Sequence, residues 1–128
     1  MKLATWNVNG IRARQAQVQE WIAQERPDVV CLQEIKATTD QIPIALCEME
    51  GYWCYWHGGK GYSGVAMWVN KDFIADRPAF AHPAFDYENR IVTVEASYVE
   101  SFRMMTVMFV EVTMTYIMLV VKPKKSRP

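Results

Sequence analysis

The chain has 128 residues, of which 51% are hydrophobic and 22% are charged, and its formal net charge is zero. This length allows one domain with a modest core, and the hydrophobic fraction excludes an intrinsically disordered chain. Four of the 14 basic residues lie after position 121, so residues 1–121 carry 10 basic and 14 acidic side chains. A body with excess negative charge is not a general nucleic-acid binder, so any binding of DNA depends on local groups.

The predicted elements alternate between strands and helices along the first half of the chain. Strands are predicted at 2–8 and 28–33, separated by a helix at 12–25 whose apolar face is Val18, Trp21 and Ile22. A short helix from Pro43 to Glu50 and strands at 52–56, 65–70 and 91–98 follow. This order indicates an α/β fold in which a mixed sheet has flanking helices.

Residues 99–128 differ in composition from residues 1–98, and we treat them as a separate segment. Five of the eight methionines lie between positions 104 and 118, and a basic tail follows. Apolar residues alternate with Glu111, Thr113 and Thr115, which favours a strand or a hairpin. The apolar stretch 104–121 also has the length of a marginal membrane span, but Glu111 lies within it, and we expect no membrane association.

The three cysteines, Cys31, Cys47 and Cys54, are odd in number and have no metal-ligand spacing. We predict that all three are reduced and structural, which suits a cytoplasmic protein. The N-terminus does not resemble a signal peptide, because Lys2 leads directly into a strand pattern. We therefore expect a cytoplasmic location.

Two of the predicted strands end in polar side chains. The first strand ends near Asn7, and the second is followed by Glu34. Because ligands collect beyond the carboxyl ends of strands in open α/β sheets, we expect Asn7 and Glu34 to meet at one rim. An amide oxygen and a carboxylate suit a hard cation such as Mg²⁺, which predicts metal-assisted chemistry on a phosphate.

Four short motifs, in this order, resemble the exonuclease III and abasic-site endonuclease branch of the endonuclease/exonuclease/phosphatase superfamily. They are residues 6–13 (WNVNGIRA), 32–36 (LQEIK), 61–66 (GYSGVA) and 85–90 (FDYENR). One motif alone is weak, but the four together cover roughly residues 1–98. The resemblance implies that residues 1–98 form the N-terminal half of a four-layer α/β sandwich.

The resemblance also implies a metal site and a DNA-binding surface. It places Glu34 and Asn7 as catalytic residues and as ligands of Mg²⁺, with Mn²⁺ as a substitute. Its implied substrate is double-stranded DNA with abasic sites or 3′ ends. The residues it implies as DNA contacts are Asn9, Lys36, Lys60, Gly61, Tyr62 and Arg90.

Each of these residues also has an interpretation in which it has no role in catalysis or binding. Glu34 and Lys36 would then be solvated surface charges, and Asn7 a turn former before Gly10. Lys60 and Tyr62 would lie on an ordinary hairpin loop. Arg90 would pair with Glu88 or Asp86 on the surface. The two histidines, at 57 and 82, lie outside the family's histidine motif, and we expect no catalytic role for either.

The family pattern stops after Tyr98, and the sequence has neither an Asp-x-Asn pair nor a Ser-Asp-His motif. The resemblance therefore implies a Mg²⁺-dependent DNA repair nuclease that is truncated and weak or inactive alone. A second hypothesis is a non-catalytic half-domain that binds a partner or forms a homodimer through its uncovered sheet face. A third is a phosphodiesterase acting on lipid or inositol phosphates, which Lys36 and the loop at 61–64 disfavour.

Overall fold

The computed structural model describes residues 1–86, 88–98, 103–111 and 115–123 of the chain. It contains eight strands and two α-helices within these ranges. The elements are β1 (Leu3–Asn7), α1 (Gln15–Glu25), β2 (Val29–Gln33), α2 (Ile44–Cys47), β3 (Tyr52–His57), β4 (Val65–Asn70), β5 (Ala79–Ala81), β6 (Ile91–Tyr98), β7 (Arg103–Glu111) and β8 (Thr115–Pro123).

The strands form two four-stranded sheets. The first has the order β1-β2-β4-β3, in which β1 and β2 are parallel and the other pairs are antiparallel. The second has the order β5-β6-β7-β8 and is antiparallel throughout. The predicted α/β class with a mixed sheet and flanking helices is therefore confirmed.

The helix α1 follows the predicted apolar spacing. Its buried residues are Val18 and Ile22, and Trp21 packs edge-to-face against Trp6 of β1 with ring centroids 5.4 Å apart. The helix ends at Arg26, a left-handed residue whose N–H donates to the Ile22 carbonyl. Its first predicted turn, at 12–14, is a 3-10 helix.

Two local predictions need correction. The second helix is only Ile44–Cys47, with Pro43 before it, and it stops short of the predicted Glu50. The chain instead turns so that the Tyr52 N–H donates to the Met49 carbonyl at 3.1 Å and β3 begins. Strand β5 and a 3-10 turn at Thr39–Gln41 are present as well, and neither was predicted from the sequence.

The first sheet is packed on both faces. All five residues of β2 and all six of β4 are buried, as expected for strands covered on both sides. Side chains on one face meet α1 and α2 in a core that includes Val30, Leu32 and Trp68. Those on the other face meet β6 in a second core that includes Cys31, Met67 and Val94. This packing fixes the ends of β1 and β2, where the candidate site lies.

Strands β7 and β8 pair antiparallel within the segment 99–128. Residues 99–102, 112–114 and 124–128 lie outside the described residues. Within the part of the chain that is described, no helix combines the length and hydropathy needed to cross a bilayer. The division of the chain at residue 98 stays a prediction.

Candidate functional site: a polar rim and two attached loops

The parallel pairing of β1 and β2 brings Asn7 and Glu34 to the same rim. Asn7 ends β1 and pairs in register with Gln33, the last residue of β2, and Glu34 follows immediately. The Gln33 side chain is buried and donates both to the Thr5 hydroxyl, at 2.9 Å, and to the Cys31 carbonyl, at 2.8 Å. The ends of β1 and β2 are thus held together by side-chain hydrogen bonds as well as by the backbone pairing of the two strands.

The turn after β1 places Asn9 beside this rim. The Asn9 N–H donates to the Asn7 side-chain oxygen at 3.1 Å, which orients the Asn7 amide. Gly10 has φ +98° and its N–H donates to the Glu34 carbonyl at 2.8 Å. The turn therefore lies directly against the residue predicted to bind the metal.

Lys36 joins the remaining members of the rim. Its ammonium donates to the Asn9 side-chain oxygen at 2.6 Å and lies 3.5 Å from a carboxylate oxygen of Glu34. The Glu34 and Lys36 side chains are 35% and 36% exposed, so both remain open to a ligand from solvent. The structure thus brings four predicted residues into one cluster, the polar rim: Asn7, Asn9, Glu34 and Lys36.

The backbone of the rim is strained. Asn9, Glu34 and Lys36 have φ values of 44°, 50° and 50°, and the neighbouring Ser63 has 49°. Residues other than glycine rarely adopt this left-handed conformation, and such residues concentrate at functional sites. The side chains of Asn9, Glu34, Lys36 and Ser63 therefore point in directions that an ordinary extended strand would not give them.

The glycine-rich loop, residues 57–64, is attached to the rim by its backbone. The carbonyls of Ser63 and Gly64 accept from the N–H groups of Lys36, at 2.9 Å, and Ile35, at 3.1 Å. Further along the loop, Lys60 and Tyr62 are exposed, and the Tyr62 N–H donates to the Lys60 carbonyl at 2.9 Å. The predicted contacts Lys60, Gly61 and Tyr62 therefore face solvent beside the rim.

Arg90 belongs to a second loop that is joined to the first. The Ser63 hydroxyl donates to the Glu88 carbonyl at 2.5 Å. The Arg90 guanidinium donates to the Glu88 carboxylate, also at 2.5 Å, which is the ion pair that the alternative interpretation anticipates. The structure therefore places Arg90 near the glycine-rich loop, with its side chain paired to Glu88.

The donors at the rim fit a small, hard cation. They are the Glu34 carboxylate and the Asn7 amide oxygen, whereas the Asn9 side-chain oxygen already accepts from the Lys36 ammonium. Among the described residues, no three His, Cys, Asp or Glu side chains lie close enough together to hold a metal ion. Mg²⁺ needs no such cluster, because it keeps several waters and binds through one or two carboxylates together with substrate phosphates.

The cysteines contribute nothing to this site. All three are free, and burial raises the pKa of both Cys31 and Cys54 to about 12. Thiols with such a pKa stay protonated near neutral pH and are poor nucleophiles.

Ser63, His57 and Asp86, to which the sequence assigns no role, hold the loops in place. His57 contacts an Asp86 oxygen at 2.7 Å, although 29 residues separate the two in sequence. No periodicity or local motif signals such a long-range pair, so the sequence offered no means of finding it.

The fold is of the α/β class, with a mixed sheet and flanking helices. The chain belongs to the endonuclease/exonuclease/phosphatase family, whose model matches residues 4–104. The exodeoxyribonuclease III of Haemophilus influenzae is 36% identical over 95 residues, which are 74% of this chain and 36% of that protein. The DNA repair nuclease APEX1 of Danio rerio is 35% identical over 100 residues, covering 74% of this chain and 32% of that protein.

A solved structure shares the fold at similar identity. It is that of the 3′ phosphatase NExo from Neisseria bound to product DNA hairpin, with a TM-score of 0.62 and 37% identity. The match covers 76% of this chain and 38% of that one. These findings confirm the predicted branch of the family. The chain spans about a third of the length of the curated relatives it matches.

Proposed function

We propose that this chain supplies the metal side and part of the DNA grip of a Mg²⁺-dependent nuclease of the exonuclease III type. Its substrate would be duplex DNA, cleaved by phosphodiester hydrolysis at 3′ ends or at abasic sites. The observation that carries the proposal is the polar rim at the ends of two parallel strands, with a glycine-rich loop bonded to it. The relatives' names and the DNA hairpin bound to NExo support the same substrate class.

In this proposal Glu34 and Asn7 hold the metal, and Mn²⁺ can replace Mg²⁺. A bound Mg²⁺ would supply electrostatic stabilisation of the scissile phosphate and of the leaving oxygen. Asn9 fixes the Asn7 amide through its N–H. Lys36 orients the Glu34 carboxylate and adds a positive charge where a phosphate would approach.

The DNA grip consists of groups on the two loops. Lys60 offers an ammonium, Tyr62 a hydroxyl and Gly61 a backbone N–H to phosphate oxygens. The Arg90 guanidinium would exchange its exposed partner Glu88 for a phosphate.

A second candidate function is binding of DNA or of a partner without cleavage. It is favoured by the composition of the polar rim, in which Glu34 is the one carboxylate among Asn7, Asn9, Glu34 and Lys36. The sequence also lacks the Asp-x-Asn and Ser-Asp-His motifs of the family pattern. We therefore expect at most weak cleavage by this chain alone, with a homodimer as one way to complete the site.

The deciding experiment is cleavage of a 5′-labelled duplex that carries one abasic analogue, with Mg²⁺ and with EDTA. Wild type is compared with Glu34→Gln and with Glu20→Gln, a control that makes the same chemical change on the exposed face of α1. We expect Mg²⁺-dependent nicking that falls at least roughly 100-fold in Glu34→Gln, as when a preorganised electrostatic group is removed. The control should keep the wild-type rate.

Two further measurements interpret a negative result. Manganese binding followed by electron paramagnetic resonance should weaken in Glu34→Gln even if the chain does not cleave DNA. If folded wild type neither nicks the duplex nor binds manganese, the nuclease proposal is wrong. If it binds duplex DNA without nicking it, the non-catalytic function stands, and light scattering then shows whether the chain is a dimer.

A further inference from the structure

Four side chains outside the polar rim form a compact cluster next to the glycine-rich loop. His57, the last residue of β3, contacts Asp86 at 2.7 Å. The His82 ring stacks on the His57 ring, with centroids 3.9 Å apart and an interplanar angle of 13°. The Tyr55 hydroxyl is 2.6 Å from the His82 ring nitrogen Nδ1. The proposed metal and DNA contacts do not include any of these residues.

Asp86 organises the loop that carries Arg90. Its side chain is only 4% exposed, and its oxygens accept from the backbone N–H groups of Arg90, at 2.9 Å, and Ile91, at 2.8 Å. These bonds close the turn from Asp86 into β6. The backbone at Arg90 and Ile91 is therefore held by this carboxylate.

His57 lies at the start of the glycine-rich loop, where it contacts Asp86 of the second loop. The next residue, Gly58, lies so close to residue 37 that an added Cβ would be 2.1 Å from the Ala37 carbonyl oxygen. A Cβ on Gly59 would be 2.7 Å from the Asn89 side-chain nitrogen. Where the chain leaves β3, it therefore passes closely between Ala37 and Asn89.

The two loops are bonded at both ends of the glycine-rich loop. The His57–Asp86 contact joins them at its start, and the Ser63 hydroxyl to the Glu88 carbonyl joins them at its end. Lys60 and Tyr62 lie between these two bonds, and Arg90 lies on the partner loop. These two bonds therefore set the distance between the loop that carries Lys60 and Tyr62 and the loop that carries Arg90.

We propose that His57 is a positioning residue, which through Asp86 joins the two loops into one preorganised DNA-binding surface. The inference rests on the proposed function for its consequence in DNA binding, whereas the joining of the loops is a property of the free protein. Binding groups that are already fixed lose less conformational entropy when a ligand binds. His82 supports the arrangement, because its stacked ring limits rotation of the His57 ring.

The test compares two substitutions of one side chain. His57→Phe keeps a flat ring against His82 but cannot bond to Asp86. His57→Gln gives up the ring but retains an N–H donor. Amide hydrogen exchange by NMR is measured at Arg90, Ile91 and Tyr62, and duplex DNA binding is measured by fluorescence anisotropy without metal.

We expect His57→Phe to speed exchange at these amides and to weaken DNA binding, each roughly tenfold, and His57→Gln to restore most of both. His82→Phe is the matched control, because it makes the same chemical change 3.9 Å away without touching Asp86. It should leave the Arg90 and Ile91 exchange rates near those of wild type. If His57→Phe does not fold, His57→Leu removes the same bond and leaves the Asp86 acceptors of the Arg90 and Ile91 N–H groups in place.

Unchanged exchange in His57→Phe would overturn the proposal. Equal losses in the Phe and Gln variants would also overturn it, since His57 would then act only through its ring. If wild type binds no duplex DNA, yet the Phe variant releases both loops and the Gln variant restores them, the proposed function fails while the joining of the loops stands.

Discussion

The carboxyl group of Asp86 shows how the fold controls one ionisable side chain. Burial by itself raises the pKa of Asp86, but hydrogen bonds from the Arg90 and Ile91 N–H groups and from His57 outweigh it. The net result is a pKa below the ordinary value of 3.8. The folded state therefore stabilises the ionised form relative to the unfolded state.

This shift leads to a pH-dependent prediction for Asp86→Asn. The stabilisation from a depressed pKa is present above the ordinary value and is lost as the pH falls through the lower, folded-state value. We expect the variant to lose about 1.5–3 kcal/mol of unfolding free energy at neutral pH, as for hydrogen bonds to a charged group. The difference from wild type should shrink as the pH falls below 3.8.

Urea unfolding at a series of pH values checks this expectation. Asp76→Asn serves as the control, since Asp76 is exposed in the segment before β5. A constant difference between wild type and Asp86→Asn across the acidic range would mean that the charge of Asp86 is not what the hydrogen bonds stabilise.

At the residue scale, the sequence predicted the polar rim better than the contacts that support it. Glu34, Lys36 and Asn7 lie within short motifs near strand ends, where the backbone direction alone brings them together. The His57–Asp86 pair depends on how two loops meet in space. A single sequence contains no local signal for that meeting, and we therefore expected no role for His57.

The same distinction applies to whole elements. Strands β2, β4 and β6 have strong apolar patterns and were predicted within one residue of their bounds. The missed strand β5 has only three residues, and its Phe80 stacks on Tyr55 with centroids 5.4 Å apart. Pairing with β6 and this ring contact create the strand, so its cause is tertiary.

Gly58, the residue that follows β3, leads to a prediction about stability at the end of that strand. In Gly58→Ala the added methyl group would overlap the Ala37 carbonyl, which is backbone and cannot rotate away. In Gly61→Ala nothing lies within 4 Å, and the cost is limited to the left-handed conformation at φ +70°. We expect about 1 kcal/mol of destabilisation for Gly61→Ala and clearly more for Gly58→Ala.

Thermal unfolding of both variants by circular dichroism tests this ranking. Equal melting temperatures would mean that the segment at Ala37 yields to the methyl group without loss of stability. The Gly61 variant also separates the effect of backbone conformation from the effect of steric overlap, because it changes the same loop without an overlap.

At the scale of the whole molecule, β4 connects the two cores. Ala66 and Trp68 contribute to the core beneath the helices, whereas Val65, Met67 and Val69 contribute to the core between the sheets. The sequence predicted β4 correctly but did not give the strand order β1-β2-β4-β3, because register and order are set by non-local pairing. We infer that the described part of the chain unfolds as one unit.

Val94→Ala tests this cooperativity. Val94 is fully buried in the second core, so its truncation should cost about 2 kcal/mol. Four of the five tryptophans pack in the first core, and intrinsic fluorescence therefore reports mainly on that core. We expect the fluorescence midpoint in urea to shift with the circular dichroism midpoint, and Glu95→Ala on the exposed face to shift neither.

Separate midpoints would instead reveal two independently unfolding layers. The backbone hydrogen bonds of β4 would then hold only the first sheet together, and the second sheet would unfold before the first. The comparison needs no DNA and no metal, so it stands apart from the proposed activity.

The left-handed backbone at Asn9, Glu34 and Lys36 has a consequence for directed evolution. Glycine would relieve the backbone strain at each of these positions, at the loss of a side chain from the rim. A library selected for heat resistance alone should therefore accumulate glycine there. A library selected for phosphate chemistry should retain the original amide, carboxylate and ammonium. The two selections would diverge at the same three codons, and sequencing the survivors would separate what this rim does from what the fold alone prefers.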